Sequence, residues 1–341
     1  MNDYQHYLED EYTEYEDLFD PMNIDRQARR KRNPKPQHQP KAARQEIIEE
    51  IADTTTLESD FDITYQPSLY ESSWLVASVG TFFDLSYITD VLALVKGGKE
   101  ASVYRCEAHP STNATLLAAK VYRPRMFRNL RNDAMYRQGR TMLQSDGKEA
   151  NPRDRRMMRA VDQKTAYGAQ LQHTSWLMYE YTTMRDLYQL GAAVPEPIVA
   201  SENAILMTYV GDKNMAAPTL NTVRLQQDEA EILYQEVLRN IGLMLSRHIV
   251  HGDLSAYNLL YWEGKITLID FPQVIDVRTN DNGYMLLHRD VTRICEYFAK
   301  QGVNCDAQTL TDQLWARYIG SDERGREADA SRFQPEEEDE D

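Results

Sequence analysis

Cysteine is scarce in this 341-residue chain. The three present, Cys106, Cys295 and Cys305, have no metal-ligand spacing and suggest no disulfide framework. They read as reduced thiols, which fits a cytoplasmic protein. Long apolar runs are also missing. No stretch approaches the ~18 residues needed to span a bilayer, and the N-terminus lacks a signal-peptide pattern, so no membrane partner is expected. Basic residues are outnumbered, 38 Lys and Arg against 54 Asp and Glu, for a formal net charge of −16. That balance argues against nucleic-acid binding over the surface as a whole.

The charge is unevenly spread. Residues 1–20 carry eight acidic side chains and no Lys or Arg. Over 26–44 the sign reverses, with Arg26, Arg29, Arg30, Lys31, Arg32 and Lys35 leading an unopposed basic run broken by prolines. The end, Pro335 to Asp341, is acidic again. None of these segments has the apolar periodicity of a core, so 1–60 and 321–341 read as disordered charged tails. The basic stretch is either a solvated linker, the favoured reading, or a contact for RNA or an acidic partner.

Order is expected from about residue 61. A helical extension over 61–90, with Trp74, Leu75, Phe82 and Phe83 as its apolar positions, should pack on the domain C-terminal to it. Short apolar runs at Val91–Val95, Ser102–Cys106 and Leu116–Tyr122, separated by turn residues, predict an antiparallel meander. Residues 123–160 are polar and Arg-rich and read as a mobile insertion. Next come a helix carrying Trp176, Glu180, Met184 and Leu187 on one stripe, a buried strand over 204–210 and an amphipathic helix over 226–247. This order predicts an α+β, bilobal fold: a small antiparallel-sheet lobe over 91–210 and a helical lobe over 211–320.

The most informative stretch is His251-Gly-Asp-Leu-Ser-Ala-Tyr-Asn258, succeeded by a predicted hairpin ending in Ile269-Asp270-Phe-Pro. Asp253 and Asn258 stand at the spacing of the protein-kinase catalytic loop, where the Asp handles the nucleophile and the Asn holds a metal ion. The hairpin, turning at Glu263-Gly264, should return Asp270 beside Asn258. Two hard oxygen ligands then face one Mg²⁺, which keeps waters and bridges substrate phosphates. The plain alternative is a surface loop with a satisfied Asp. His251 is expected to brace the loop by hydrogen bonding.

At the other end of the site, Gly97-Gly98 lies between two strands, where a glycine turn lets backbone N–H groups approach phosphate. Ser102 is a candidate hydroxyl donor there, although an ordinary hairpin would look the same. Lys120, in Ala118-Ala119-Lys120-Val121, sits as the kinase strand lysine does, on the α and β phosphates. Its alternative is the solvent face of an edge strand. Glu180, on the apolar stripe of its helix, needs a cationic partner if it points inward. Met207 and Tyr209, between the last small-lobe strand and the helical lobe, are expected to meet adenine.

Taken together, Gly98–Tyr104, Ala119–Tyr122, Trp176 with Glu180, Pro195–Ile198, His251–Asn258, Ile269–Gln273 and His288–Val291 resemble the RIO family of atypical protein kinases. The likeness covers about residues 70–302. It is closer to the family's first type, in a divergent and prokaryotic form, although Asp270-Phe-Pro-Gln273 looks more like the second. The resemblance implies a trimmed kinase fold, use of ATP with Mg²⁺ or Mn²⁺, serine autophosphorylation, and a role in ribosomal-subunit maturation for some members. It would make Asp270 both a metal ligand and a phospho-acceptor, and the 123–160 loop a place for autophosphorylation, with Ser145 the candidate. A ribosomal particle or RNA would then meet the basic segment 26–44. The protein substrate stays unknown.

The resulting expectation is a serine/threonine protein kinase with Asp253, Asp270 and Lys120 as catalytic groups, Asn258 and Asp270 on the metal, and Lys120 held by Glu180 on the nucleotide. Two alternatives stay open. One is an ATPase switch in ribosome assembly, which differs only in what presents the acceptor oxygen. The other is a small-molecule kinase of the aminoglycoside or choline type, which shares the His-Gly-Asp pattern but needs more helical chain after Asp270 than is present here.

Overall fold

In a computed structural model of the protein, the described residues are 63–98, 100–122, 136, 138–151, 154–163 and 165–320. The expected charged tails, the basic segment 26–44 and Lys99 lie outside them.

The first element is helix α1 (Leu69–Asp84). Its first turn is held by Glu71, which accepts from the Ser68 amide and from the Tyr104 hydroxyl at 2.5 Å. Strands β1 (Ile88–Gly97), β2 (Ala101–Ala108), β3 (Leu116–Tyr122), β4 (Pro197–Ala200) and β5 (Ala204–Thr208) form one antiparallel sheet in the order β1-β2-β3-β5-β4. Alternation along the strands divides the sheet chemically. One face carries Tyr104, Cys106, Leu117, Ala119, Val121 and Leu206, which pack on Leu75, Val79 and Phe82 of α1. The other face, with Ala118, Tyr122, Ile205 and Met207, joins the core of the helical lobe.

Between β3 and β4 run α2 (Arg155–Asp162) and the long α3 (Ala166–Gln189). Of the stretch expected as a mobile insertion, 123–160, residues 136, 138–151 and 154–160 are among those described, and they carry local structure. Asp154 caps α2 by accepting from the Arg156 and Met157 amides, and Leu143 pairs with Glu149 in an isolated bridge. The Leu143 amide donates to Ser175 Oγ on α3, and the Arg140 guanidinium donates to the Pro272 and Val274 carbonyls. Polar side chains make these contacts, which apolar periodicity does not record. Ser145 sits exposed in the turn of this bridge.

The helical lobe contains α4 (Gln227–Leu245), α5 (Gly283–Ala299) and α6 (Ala307–Tyr318), with a short ladder of β6 (Ile249–Val250) and β9 (Ile275–Asp276). Hairpin β7 (Leu259–Trp262) and β8 (Lys265–Leu268) turns at Glu263 and Gly264, both with positive φ. Val237, Ile241, Leu245, Leu286, Ile294 and Phe298 form the centre of its core. No described helix is long and apolar enough to cross a membrane.

The cysteine expectation needs correction. Cys295 and Cys305 are paired as a disulfide with Cα atoms 5.4 Å apart, while Cys106 is a buried free thiol. Burial pushes the Cys106 thiol up to about 12. The sequence shows the ten-residue separation of Cys295 and Cys305, but only the chain reversal between α5 and α6 brings them together.

Candidate active site

The small-lobe part of the site is built on a row across the sheet. Lys96 pairs with Val103, Val103 with Lys120 and Lys120 with Ile205, so these side chains share the face turned to the helical lobe. A register shift between Leu94 and Lys96 gives β1 one extra residue, and this bulge re-aims Lys96 onto that face. At the end of the hairpin the Gly98 amide donates to the Ala101 carbonyl. A Cβ on Gly98 would stand 2.8 Å from that same oxygen, so the turn requires glycine.

Ser102 does not belong to this row. It pairs with Val121 and shares the α1 face with Tyr104, where it is buried. The expectation that its hydroxyl meets phosphate is thus corrected: the period of two along β2 points it away from Lys120. Met207 pairs with Ala118 and lies on the Lys120 face. Tyr209 stands just past β5, partly buried against the helical-lobe core.

Lys120 Nζ lies 2.6 Å from Glu180 Oε1 and 2.5 Å from Asp270 Oδ1. Burial works to lower its pKa, but Asp270 and Glu180 outweigh burial and hold it above the ordinary value. Glu180, 2% exposed, has both oxygens engaged. The Tyr122 hydroxyl donates to Oε2 and the Phe271 amide donates to Oε1 at 3.4 Å. Tyr122 is in turn held edge-on against Trp176, with ring centroids 4.9 Å apart. Its role went unread in the sequence, although its position two residues after Lys120 puts it on the same strand face.

The catalytic-loop side is equally fixed. His251 is buried, with Nε2 3.2 Å from the Ile269 carbonyl, and its Nδ1 accepts from the Asp253 amide at 3.3 Å. The two contacts together require the Nε2–H tautomer, and they make His251 a brace between the two loops. Gly252 has φ +79°, and a Cβ there would collide with the Gln273 carbonyl oxygen. Asn258 Nδ2 donates to the Asp253 carbonyl at 2.8 Å and to Asp253 Oδ2 at 3.1 Å. The Ile269 amide donates to the Asn258 carbonyl, which ties the start of the hairpin to its end one residue before Asp270.

Asp270 itself has φ +71°. A non-glycine residue held there is strained by about 1–3 kcal/mol, the kind of strain that persists where surroundings over-determine it. Its side chain keeps 42% exposure. Burial works to raise its pKa, but Lys120 foremost, with Lys96 helping, holds it below the usual carboxylate range. Among the described residues no group of three His, Cys, Asp or Glu side chains converges as a metal site. A carboxylate with an amide oxygen remains, since donation by Asn258 Nδ2 leaves its Oδ1 available. Such a hard-oxygen pair fits Mg²⁺, which takes one or two protein ligands beside waters and phosphate.

Helix α5 grips the loop from behind. Asp290 Oδ2 accepts from the Gly252 amide at 2.8 Å, Arg289 donates to the Gly252 carbonyl, and Arg293 Nη1 donates to Asp253 Oδ1 at 2.7 Å. Arg293 was not legible as a site residue. It is 40 residues from Asp253, and no local pattern links them.

Residues 102–310, well over half of the chain, match the model of the RIO domain. The RIO-type serine/threonine-protein kinase Rio1 of Thermoplasma acidophilum is 30% identical over 139 residues, 41% of this chain and 72% of that protein. Serine/threonine-protein kinase rio1 of Schizosaccharomyces pombe is 28% identical over 220 residues, 64% of this chain, and the chain spans 40% of that protein. The Rio2 kinase structure from Chaetomium thermophilum, an ADP/Mg²⁺-phosphoaspartate complex, aligns over 85% of this chain and 80% of that one, with a TM-score of 0.48 and 18% identity. The motifs at Lys120, Asp253, Asn258 and Asp270 lie inside the matched domain, and the chain belongs to the RIO family.

Proposed function

We propose that this chain is an ATP-dependent serine/threonine protein kinase of RIO type, which transfers the γ-phosphoryl group of ATP to a serine hydroxyl, its own included. The observation that carries the reading is the meeting of Lys120 with both Glu180 and Asp270 where the two lobes face each other. Family membership and the serine/threonine-protein kinase names of the relatives support it.

When bound, Mg²⁺-ATP would supply an electrophilic phosphoryl group, and the metal would offset negative charge developing on its oxygens. Asn258 Oδ1 and the Asp270 carboxylate would hold the metal. Lys120 stays anchored by Glu180 and turns its remaining N–H groups to the phosphates. Lys96, on the same row, adds a second cation at that end, and the Gly98 turn brings backbone close. Asp253 accepts the hydrogen bond of the attacking hydroxyl and orients it. His251 holds the backbone of the loop and moves no proton. Met207 and Tyr209 border the adenine end.

Incubation with γ-labelled ATP and Mg²⁺ tests this, with Asp253→Asn and Asp270→Ala in parallel. Acid-stable label on serine, lost in both variants, is the expected result. Abundant free phosphate with little label, or a base-labile acyl phosphate, would replace the kinase with an ATPase switch. Neither signal would favour a small-molecule kinase.

A further inference from the structure

Arg293 is buried deeply for an arginine. Its side chain is 6% exposed, and that of its partner Asp253 is 13% exposed. Among the described residues it makes one hydrogen bond and one ion pair, both to Asp253 Oδ1, and its Nε has no hydrogen-bond partner. As a contribution to stability alone this is a poor arrangement. A buried ion pair is often matched or bettered by apolar side chains of the same volume, and an unpaired buried N–H is a further penalty. What the arrangement does provide is a fixed positive charge at one oxygen of the candidate catalytic carboxylate.

The geometry around Asp253 gives that charge a specific task. Oδ2 is held by Asn258 Nδ2 and Oδ1 by Arg293, so both ends of the carboxylate are fixed and it cannot rotate about χ2. Arg289 and Asp290, on the same helix, fix the backbone of the preceding residue through the Gly252 carbonyl and amide. Positions 289 and 293 are one helical turn apart and face the same way. One rigid helix thus sets both the backbone at 252 and the side chain at 253. Removing Arg293 would leave the backbone grip and the Asn258 contact in place and free Oδ1 alone.

We propose that Arg293 is a positioning residue for Asp253. It holds Oδ1 so that a lone pair stays presented to the acceptor hydroxyl and the carboxylate does not swing to join the metal beside Asn258 and Asp270. This inference rests on the kinase reading of Asp253. It predicts a defect in turnover and not in nucleotide binding, because Arg293 touches neither Lys120 nor Asp270.

The test uses the full chain with Arg293→Lys, Arg293→Gln and Arg293→Met, singly and in the Asp253→Asn background. Thermal unfolding and ATP affinity are measured beside turnover. Removing one partner of a buried pair can unfold a domain, and the Lys variant, which keeps the charge, guards against that. The expected result is a kcat reduced at least tenfold in the Gln and Met variants, with KM for ATP and ATP affinity within about threefold of wild type. Arg293→Lys should recover part of the loss, and none of the three should lower the residual rate of Asp253→Asn further. Full turnover in folded Arg293→Gln or Arg293→Met, with Asp253→Asn inactive, overturns the inference and leaves the kinase reading standing. A parallel loss of ATP affinity and turnover overturns it in favour of a purely structural role. Retained turnover in Asp253→Asn sinks the role of Asp253 and this inference with it.

Discussion

Lys120 Nζ stands 2.5 Å from Asp270 Oδ1, joining residues 150 apart in sequence and lying in different lobes. With Glu180 on its other side, one ammonium group bridges two carboxylates. The lysine thereby neutralises the charge on Asp270 that a metal ion is proposed to neutralise. Nucleotide and metal arriving together would exchange these partners.

That bridge makes Asp270→Asn informative. Releasing Lys120 from Asp270 should strengthen binding of metal-free ATP, measured by calorimetry in the presence of a chelator, by roughly three- to tenfold. Turnover with Mg²⁺ should fall by about 100-fold or more, since the carboxylate proposed to hold the metal is gone. Weaker metal-free binding in the variant would mean that Lys120 is not freed by the change.

The bridge also has a pH signature. The two carboxylates outweigh burial and hold the Lys120 pKa above its ordinary 10.5. The folded chain therefore keeps this proton where the unfolded chain has lost it. The contribution is complete below the ordinary value and declines as pH rises beyond it towards the folded-state pKa. Urea unfolding at about pH 9 and about pH 11 should show a larger loss for wild type than for Lys120→Met. The variant itself should be less stable near neutrality by about 3–5 kcal/mol, because Glu180 loses its buried counter-charge.

Lys96 reaches the Lys120 face through the last of three register shifts in β1, between Leu94 and Lys96. If it contacts phosphate, Lys96→Ala should raise KM for ATP about three- to tenfold with kcat changed less, and the difference should shrink at high salt because the side chain is exposed. An unchanged KM would place Lys96 outside the nucleotide site. Substitution at Ser102 should leave KM for ATP unaltered, since its hydroxyl faces α1.

The Cys295–Cys305 pair predicts a thiol count. Unfolded without reductant, the chain should present one reactive thiol, Cys106, and three after reduction. Cys295→Ser should lower the unfolding free energy by about 2–3 kcal/mol under oxidising conditions and by much less with reductant present. Three thiols without reduction would rule the pairing out.

By itself the sequence determined the parts of this protein that depend on near neighbours. The period of two across Leu116–Tyr122 and the helical stripe through Trp176, Glu180 and Met184 were readable, because burying one face of an element imposes its repeat on the sequence. So were the spacing of Asp253 to Asn258 and the turn at Glu263-Gly264 that brings Ile269 back to Asn258. Tertiary structure decided what depends on distant segments. A bulge, invisible as a repeat, turned Lys96 to the cleft, while the unbroken alternation of β2 turned Ser102 away from it. Polar contacts from Arg140 and Ser175 tie a segment with little apolar pattern to distant parts of the chain. The pairing of Arg293 with Asp253, like that of Cys295 with Cys305, comes from where whole helices pack. Such contacts arise from the shape of the shared core, and no local rule of spacing records them.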